Sequence, residues 1–565
     1  MALFSPPKIT TMDQARSHRT FALVLLMLVY AFNFIDRRIM GVLATPIKAE
    51  FNFSDAEIGA LTGFFFAIVY TVLGVPIARI ADSTNRKTVL TISLAVWSAA
   101  TALSGLVTSK IQMIGARMAV GVGEAGGSPP AHAIVSDLYE PQNRARALAI
   151  YSSGLYIGTL LANVGGGWIS DPANLKPIAG ALAPMGITIE STELWRLAFF
   201  MVGLPGVIFA IIIYFFLREP LKGLSGVRLT EEKFTFWQSF KHLWSLKSFR
   251  FYAIATGAGT FVTYGLNDWM VSFMERSHGL SRSEIGVTFG LVAGIFGAVG
   301  TIAGGLLADH FGKKDRRWYL WVPMWGKLLG GPIFLLGMFM PDPYVALGCY
   351  GVGLVLAAAY LGPSLAVTHS LVKPGMRAMS SAVLFVFLNI LGIGLGPMFV
   401  GMWSGTFNDA AACILTDQAV QLARSCPQAE NILDAIRLQP GIMQALQDAG
   451  LTKMVKDVVT LPAPLTNDIL NTAVSAGFQM GDLAKDAGWG GQVAYMWRQW
   501  FPGMASLGVN QESLRWAMVV CILVTYPMAI LWHWGAMALP KGKLDDNGEA
   551  VEEALTEGDP TPKAN

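Results

Sequence analysis

The feature that most constrains this chain is a series of twelve apolar runs, each close to the roughly 20 residues that carry a helix across about 30 Å of hydrocarbon. They fall at about 20–44, 56–79, 88–107, 111–135, 146–169, 195–217, 250–273, 284–308, 317–339, 344–368, 378–402 and 513–537, and are numbered spans 1 to 12. Hydrophobic residues make up 53% of the 565 and charged residues 14%, too few charges to cover a soluble protein of this length. The 60 glycines fit the same class, because small residues let membrane helices pack closely. The expected fold is therefore an all-α polytopic membrane protein. The first 19 residues are polar and contain Pro6 and Pro7, so span 1 is expected to follow them without a cleavable leader.

Short basic connections set the orientation. Arg86 and Lys87 follow span 2, Arg144 and Arg146 follow span 4, and a basic segment follows span 6. Lys313, Lys314, Arg316 and Arg317 follow span 8, and Lys373 and Arg377 follow span 10. The alternate short connections hold only Lys48, Lys110, Lys176, Arg276 and Arg282. Both termini are expected on the cytoplasmic side.

An internal repeat organises the spans. Residues 54–63, SDAEIGALTG, match 281–290, SRSEIGVTFG, at an offset of 227. At the same offset, Ala78-Arg-Ile-Ala-Asp82-Ser-Thr-Asn-Arg86-Lys87 matches Gly305-Leu-Leu-Ala-Asp309-His-Phe-Gly-Lys313-Lys314. Two matches in register imply two six-helix halves of the same orientation. This organisation resembles that of major facilitator transporters, whose 2–3 loop carries a Gly-x-x-x-Asp-x-x-Gly-Arg-Lys-type signature. The second copy fits it; the first has Ala78 and Asn85 in place of glycines. The resemblance makes Asp82, Arg86, Lys87, Asp309, Lys313 and Lys314 a cytoplasmic latch, acids on one helix holding cations on the next turn. The alternative is that these cations only set topology.

The chain divides into an N-terminal segment (1–19), a first bundle (20–217), a linker (218–249), spans 7–11 (250–403), an insert (404–511), span 12 (512–539) and an acidic tail (540–565) that reads as disordered. The insert falls on the periplasmic or lumenal side, where Cys413 and Cys426 are disulfide candidates. Cys349 and Cys521 lie in apolar runs and read as packing residues.

Charges inside the spans carry the chemistry, because each costs a few kcal/mol to place there. Span 1 contains Asn33-Phe34-Ile35-Asp36-Arg37-Arg38, and span 4 contains Arg117 and Glu124, seven apart on one face. Asp36 and Arg117 come at similar depth, with Glu124 nearer the midplane. The reading is one coupled cluster of Asp36, Arg37, Arg117 and Glu124, with Asn33 one turn from Arg37; Arg38 points elsewhere and snorkels. At the repeat offset Asp36 and Arg37 correspond to Thr263 and Tyr264, so the second half lacks the cluster. Burial disfavours a carboxylate's charge and a guanidinium favours it. That competition makes a proton switch; the alternative is a static lock between spans 1 and 4. Tyr360, Phe385 and Asn389 are candidates for the second half's share of a cavity, against ordinary packing. His132 and His369 read as interface residues, and Lys327 as a snorkelling or locally paired cation.

Within that superfamily, Tyr30-x-x-Asn33-Phe34-x-Asp36-Arg37-x-x-x-Gly41, Arg117…Gly121-x-Gly123-Glu124-Ala125 with Pro129, and Ala78-Arg79-x-Ala81-Asp82-x-x-Asn85-Arg86 resemble the motifs of the Spinster family. The resemblance covers the spans and leaves out the insert. It implies lysolipid or sphingoid-phosphate substrates and proton-sensitive alternating access. Asp36 and Glu124 would be the protonation sites, and Arg37 and Arg117 would pair with them or with an anionic headgroup. Protons are the only coupling ion expected; no cofactor, metal site or nucleic-acid partner is expected, and no enzymatic constellation or nucleotide motif is present. The expected state is a monomer in a bacterial inner membrane. The alternatives are a proton symporter of a small organic anion, or a receptor or scaffold that acts through the 404–511 insert and a periplasmic partner.

Overall fold

Helices account for the backbone wherever the apolar runs lie. The computed structural model describes residues 8–182, 184, 194–222, 224, 235–372, 376–406 and 513–539; the insert with Cys413 and Cys426, and the acidic tail, lie outside them. Among the described residues, ten helices are long and apolar enough to cross a membrane. Spans 4 and 7 complete the twelve. Span 4 is two helices, Lys110–Glu124 and Ser128–Leu138. Span 7 is one long helix, Lys247–His278, diluted by Asp268 and by charges near its ends.

Ends are marked by local chemistry. Thr11, Asn85, Ser109, Ser281 and Asp342 accept backbone N–H bonds as N-caps. Several helices outrun their apolar runs: span 1 is Met12–Val42 and span 5 is Pro141–Ser170. Among the described residues, three short helices lie outside the expected spans: Ala44–Phe51, Pro172–Leu182 and Phe236–Ser245.

The chain forms two compact units: Met1–Phe53 with Glu57–Met398 and Cys521–Asn565, and Ser54–Ala56 with Phe399–Val520. Within the second, Ser404 donates to Asp55 at 2.7 Å. The first holds most of both six-helix halves.

The repeated glycines explain the repeat. Gly59 and Gly63 lie so close to span 11 that a Cβ would come within 2.3 Å of Pro397 O and 2.4 Å of Ile393 O. Their counterparts Gly286 and Gly290 meet span 5 in the same way: a Cβ on Gly286 would lie 2.4 Å from Asn163 O. Spans 2 and 11, and spans 5 and 8, are thus two equivalent seams between the halves. Both carry π turns: Ala60–Phe64 in span 2, Val292–Phe296 in span 8 and Leu388–Gly394 in span 11. Such turns are rare and concentrate where function bends a helix. Further contacts join the halves at the face that bears the loops after odd-numbered spans, the odd-loop face. There Thr45 donates to Glu275 at 2.7 Å, Asn174 to Ser283 at 3.0 Å, and Arg282 to Ser170 O at 3.3 Å.

Two spans break at equivalent places. Span 4 is interrupted at residues 125–127, ahead of Pro129 and Pro130, and span 10 at residues 358–360, ahead of Pro363. A proline lacks the N–H that would continue the helix and clashes with the preceding turn. Glu124 stands at the first break and Tyr360 at the second.

Candidate functional site

Glu124 ends the helix Lys110–Glu124, where the helix dipole disfavours a carboxylate. Arg37 of span 1 compensates. It donates to Glu124 Oε2 from Nη2 at 2.6 Å and from Nε at 3.1 Å, and to Asn33 Oδ1 at 3.4 Å. Both side chains are buried. The guanidinium lies 4.5 Å from the centre of the Phe66 ring, 5.0 Å from Phe34 and 5.4 Å from Tyr70. Asn33, Arg37 and Glu124 therefore come together as the sequence reading expects.

The rest of the expected cluster does not close into one network. Asp36 is fully buried, yet it turns to span 3, where Ser98 donates to Oδ2 at 3.1 Å. Its Oδ1 has no hydrogen-bond partner among the described residues. Arg117 is 1% exposed and makes no ion pair among the described residues, although Glu124, Asp268 and Asp36 lie within electrostatic reach. Its Nε reaches Leu61 O at 3.4 Å, its guanidinium lies 5.9 Å from the Phe66 ring, and its Nη2 has no partner among the described residues. The four charges of the expected cluster thus form one closed ion pair, Arg37 with Glu124, and leave Asp36 and Arg117 outside it, with the Phe66 ring near both guanidinium groups.

Arg38 does not snorkel. It crosses to the second half and pairs with Asp268 of span 7. Asn267, with its amide oxygen turned towards it, accepts from Arg38 Nη1 at 3.1 Å and Nη2 at 2.7 Å, and the Tyr264 ring lies 5.1 Å away. Arg37, Arg38, Thr62, Tyr264, Asp268 and Ile393 line a small pocket between the halves. Asp268 escaped the sequence reading, although an acid inside an apolar run was the signal available.

Lys327 does not snorkel either. It is 2% exposed and donates to Gly259 O at 2.8 Å and Thr263 Oγ1 at 2.7 Å. Tyr360 lies over it, ring centre 5.0 Å from Nζ, and accepts from Thr260 Oγ1 at 3.2 Å. Asn389 is buried in the π turn of span 11 and Phe385 is exposed; neither joins this group. His132 stands edge-on to Tyr151 at 5.0 Å, and Tyr151 stacks on Tyr30. His369 Nε2 is 2.6 Å from Ser381 Oγ.

At the even-loop face, the latch has partners the sequence reading did not name. Arg86 is buried and binds Asp137 at 2.5 Å and Glu219 at 3.0 Å. Lys87 Nζ donates to Tyr214 O at 2.9 Å. Asp82 lies in the helix Phe65–Ser83, with its side chain outside those described. In the second copy Asp309 accepts from Tyr319 at 2.9 Å, not from the adjacent lysines, and Lys313 and Lys314 are exposed.

Known proteins place this arrangement. A family model described as Major Facilitator Superfamily matches residues 26–397. The chain belongs to the major facilitator superfamily. It is 31% identical over 414 residues to an efflux pump of this superfamily from Mycolicibacterium smegmatis, covering 72% of this chain and 90% of that one. It is 24% identical to the sphingosine-1-phosphate transporter of Danio rerio, over 67% of this chain and 75% of that one. Its fold matches a bacterial homologue of the human lysosomal transporter Spinster, solved in an inward-facing, unoccupied conformation. The TM-score is 0.70 and the identity 29%, over 92% of this chain and 97% of that one. The protein is thus a multi-pass facilitator of the Spinster type, a transporter and not an enzyme.

Proposed function

We propose that this facilitator is a proton-coupled secondary transporter that moves an anionic amphiphile by alternating access. The observation that carries the reading is Arg117: a buried guanidinium with an unpartnered N–H, beside an ion pair that already satisfies Arg37. A buried charge with no direct ion-pair partner is costly, and an anionic headgroup would supply that partner. The nearby rings of Phe66, Phe34 and Tyr70 suit the apolar part of such a molecule. Asp36 is the proton carrier in this scheme, since a carboxylate with no cation on it gains most from protonation. Glu124 is the second carrier, released when the headgroup competes for Arg37. No cofactor beyond the proton enters. The termini lie in the cytoplasm of a bacterial cell, the chain works as a monomer, and the 404–511 insert meets a periplasmic partner.

The test needs no known substrate. The purified chain in nanodiscs is heated with single-chain lysolipids, phosphorylated sphingoid bases or small organic acids, at pH 5.5 and pH 8. A ligand of the folded state raises the apparent melting temperature. The expected result is a pH-dependent rise with the anionic lipids that is lost in Arg117→Met. A rise with small organic acids alone overturns the amphiphile, and equal rises at both pH values overturn the proton role.

A further inference from the structure

The repeat relates Asp36 of span 1 to Thr263 of span 7, and span 3 as an element to span 9. Asp36 meets Ser98 of span 3; Thr263 meets Lys327 of span 9. The same pair of elements therefore holds an acid on span 1 in the first half and an amine on span 9 in the second. Each group is fully enclosed, and neither has a counter-charge in its ion-pair shell among the described residues.

The hydrogen bonds around Lys327 can be counted. Thr263 Oγ1 gives its own proton to Gly259 O at 2.9 Å, so towards Lys327 it can only accept. Nζ therefore donates twice, to Thr263 Oγ1 and Gly259 O. A neutral amine has two N–H groups and is fully satisfied by these two acceptors. An ammonium has a third, and the face of Tyr360 stands 5.0 Å from Nζ to take it. Both protonation states have a place without any movement of the helices. The other titratable groups facing Nζ are Cys521 of span 12 and Tyr360 itself; span 7 offers only Gly259 and Thr263. Tyr360 sits at the break of span 10, the counterpart of the break that carries Glu124, so its ring can shift without unwinding a helix.

We propose that Lys327 is a further proton-binding site of the transport cycle, beyond Asp36 and the ligand-released Glu124, and the second half's counterpart of Asp36. The inference rests on the proton-coupled reading above. A proton taken from water admitted past Tyr360 converts the amine to ammonium, and its return to water restores the amine. The acid and the amine place opposite charges in the two halves, so one change of pH alters the charge balance across the central cavity from both sides.

The experiment reads the gate directly. Fluorophores on ketone-bearing residues introduced at Ser83 and Lys314, which leave Cys521 intact, report the separation of the even-loop ends in nanodiscs between pH 5 and pH 10. The wild-type curve is expected to show two steps. Lys327→Met, similar in length and uncharged, should lose one step and keep the other; Asp36→Asn should do the reverse. A Lys327→Met curve that superimposes on the wild type overturns the inference and leaves the proton-coupled reading standing. A wild-type curve with no step overturns both. If Lys327→Met fails to fold, Thr263→Val removes one acceptor and keeps the lysine. One midpoint then moves by roughly one pH unit, and an unmoved midpoint overturns the inference.

Discussion

Arg117 and Glu124 share one face of one helix, yet their surroundings differ in kind. Glu124 has Arg37 as counter-charge, whereas Arg117 has a backbone carbonyl at 3.4 Å. Removing one member of a buried pair strands the other, at a cost of about 3–5 kcal/mol, whereas removing a buried charge that has no ion-pair partner strands nothing. Glu124→Gln is therefore expected to lower the unfolding temperature and Arg117→Met to leave it unchanged or raise it, as measured in substrate-free nanodiscs. Equal losses in the two variants would make Arg117 a structural strut and remove it from the binding scheme. Asp36→Asn keeps an oxygen for Ser98, so its stability should match the wild type while the pH dependence of ligand binding weakens. The sequence makes the cost of these charges plain, and it gives their depth and face. It does not tell which helix comes alongside. Residues 36, 37 and 38 are each about 100° further round the helix, and each meets a different neighbour: Asp36 span 3, Arg37 span 4, Arg38 span 7. Grouping Asp36 with Arg37 by proximity in sequence therefore missed the separation of their surroundings.

Elements explain what the repeat is for. The matched stretches 54–63 and 281–290 place glycines where two helices touch across the halves, and this was legible as a repeat but not as a seam. A Cβ at Gly167 would stand 2.5 Å from Arg282 O and 2.7 Å from Gly286 Cα, both backbone atoms, whereas Gly165 faces open space. Gly167→Ala must push spans 5 and 8 apart. Spin labels at Lys176 and Pro341 should then report a wider odd-loop separation, unchanged in Gly165→Ala; a shared, unmoved distance would show that the seam yields without parting. The latch teaches a related point. Arg86 and Lys313 occupy matching positions, but where span 4 carries Asp137 the equivalent helix of span 10, Leu361–Ser370, has no acid. Arg86→Met removes the buried guanidinium that Asp137 and Glu219 share and should cost about 3 kcal/mol or more. Lys314→Met, on an exposed side chain, should stay within about 0.5 kcal/mol of the wild type. Chemical unfolding of the two variants separates them.

For the whole molecule, the two-half organisation and the family were legible from span count, repeat and motifs, because membrane thickness and backbone pairing leave helices few choices. The state of the cavity was not, since it depends on contacts between residues more than 200 positions apart. Arg38 with Asp268 and Asn267, and Thr45 with Glu275, tie span 1 and its following helix to span 7. Alternating access requires these ties to break whenever the odd-loop end opens, so they set how populated that state is. Asp268→Arg faces Arg38 with a like charge and should favour the open end, and Arg38→Asp should do the same through Asp268. The double exchange, Arg38→Asp with Asp268→Arg, recreates the pair in reverse. Residues in such direct contact couple by roughly 0.5–3 kcal/mol, and each 1.4 kcal/mol is a tenfold change in the ratio of the two states. The label pair at Lys176 and Pro341 should show the longer distance gaining population in each single variant and falling back in the double. Additive effects, with the double as open as the singles combined, would mean that the seam glycines alone hold the end shut and that the ion pair only fills space between spans 1 and 7.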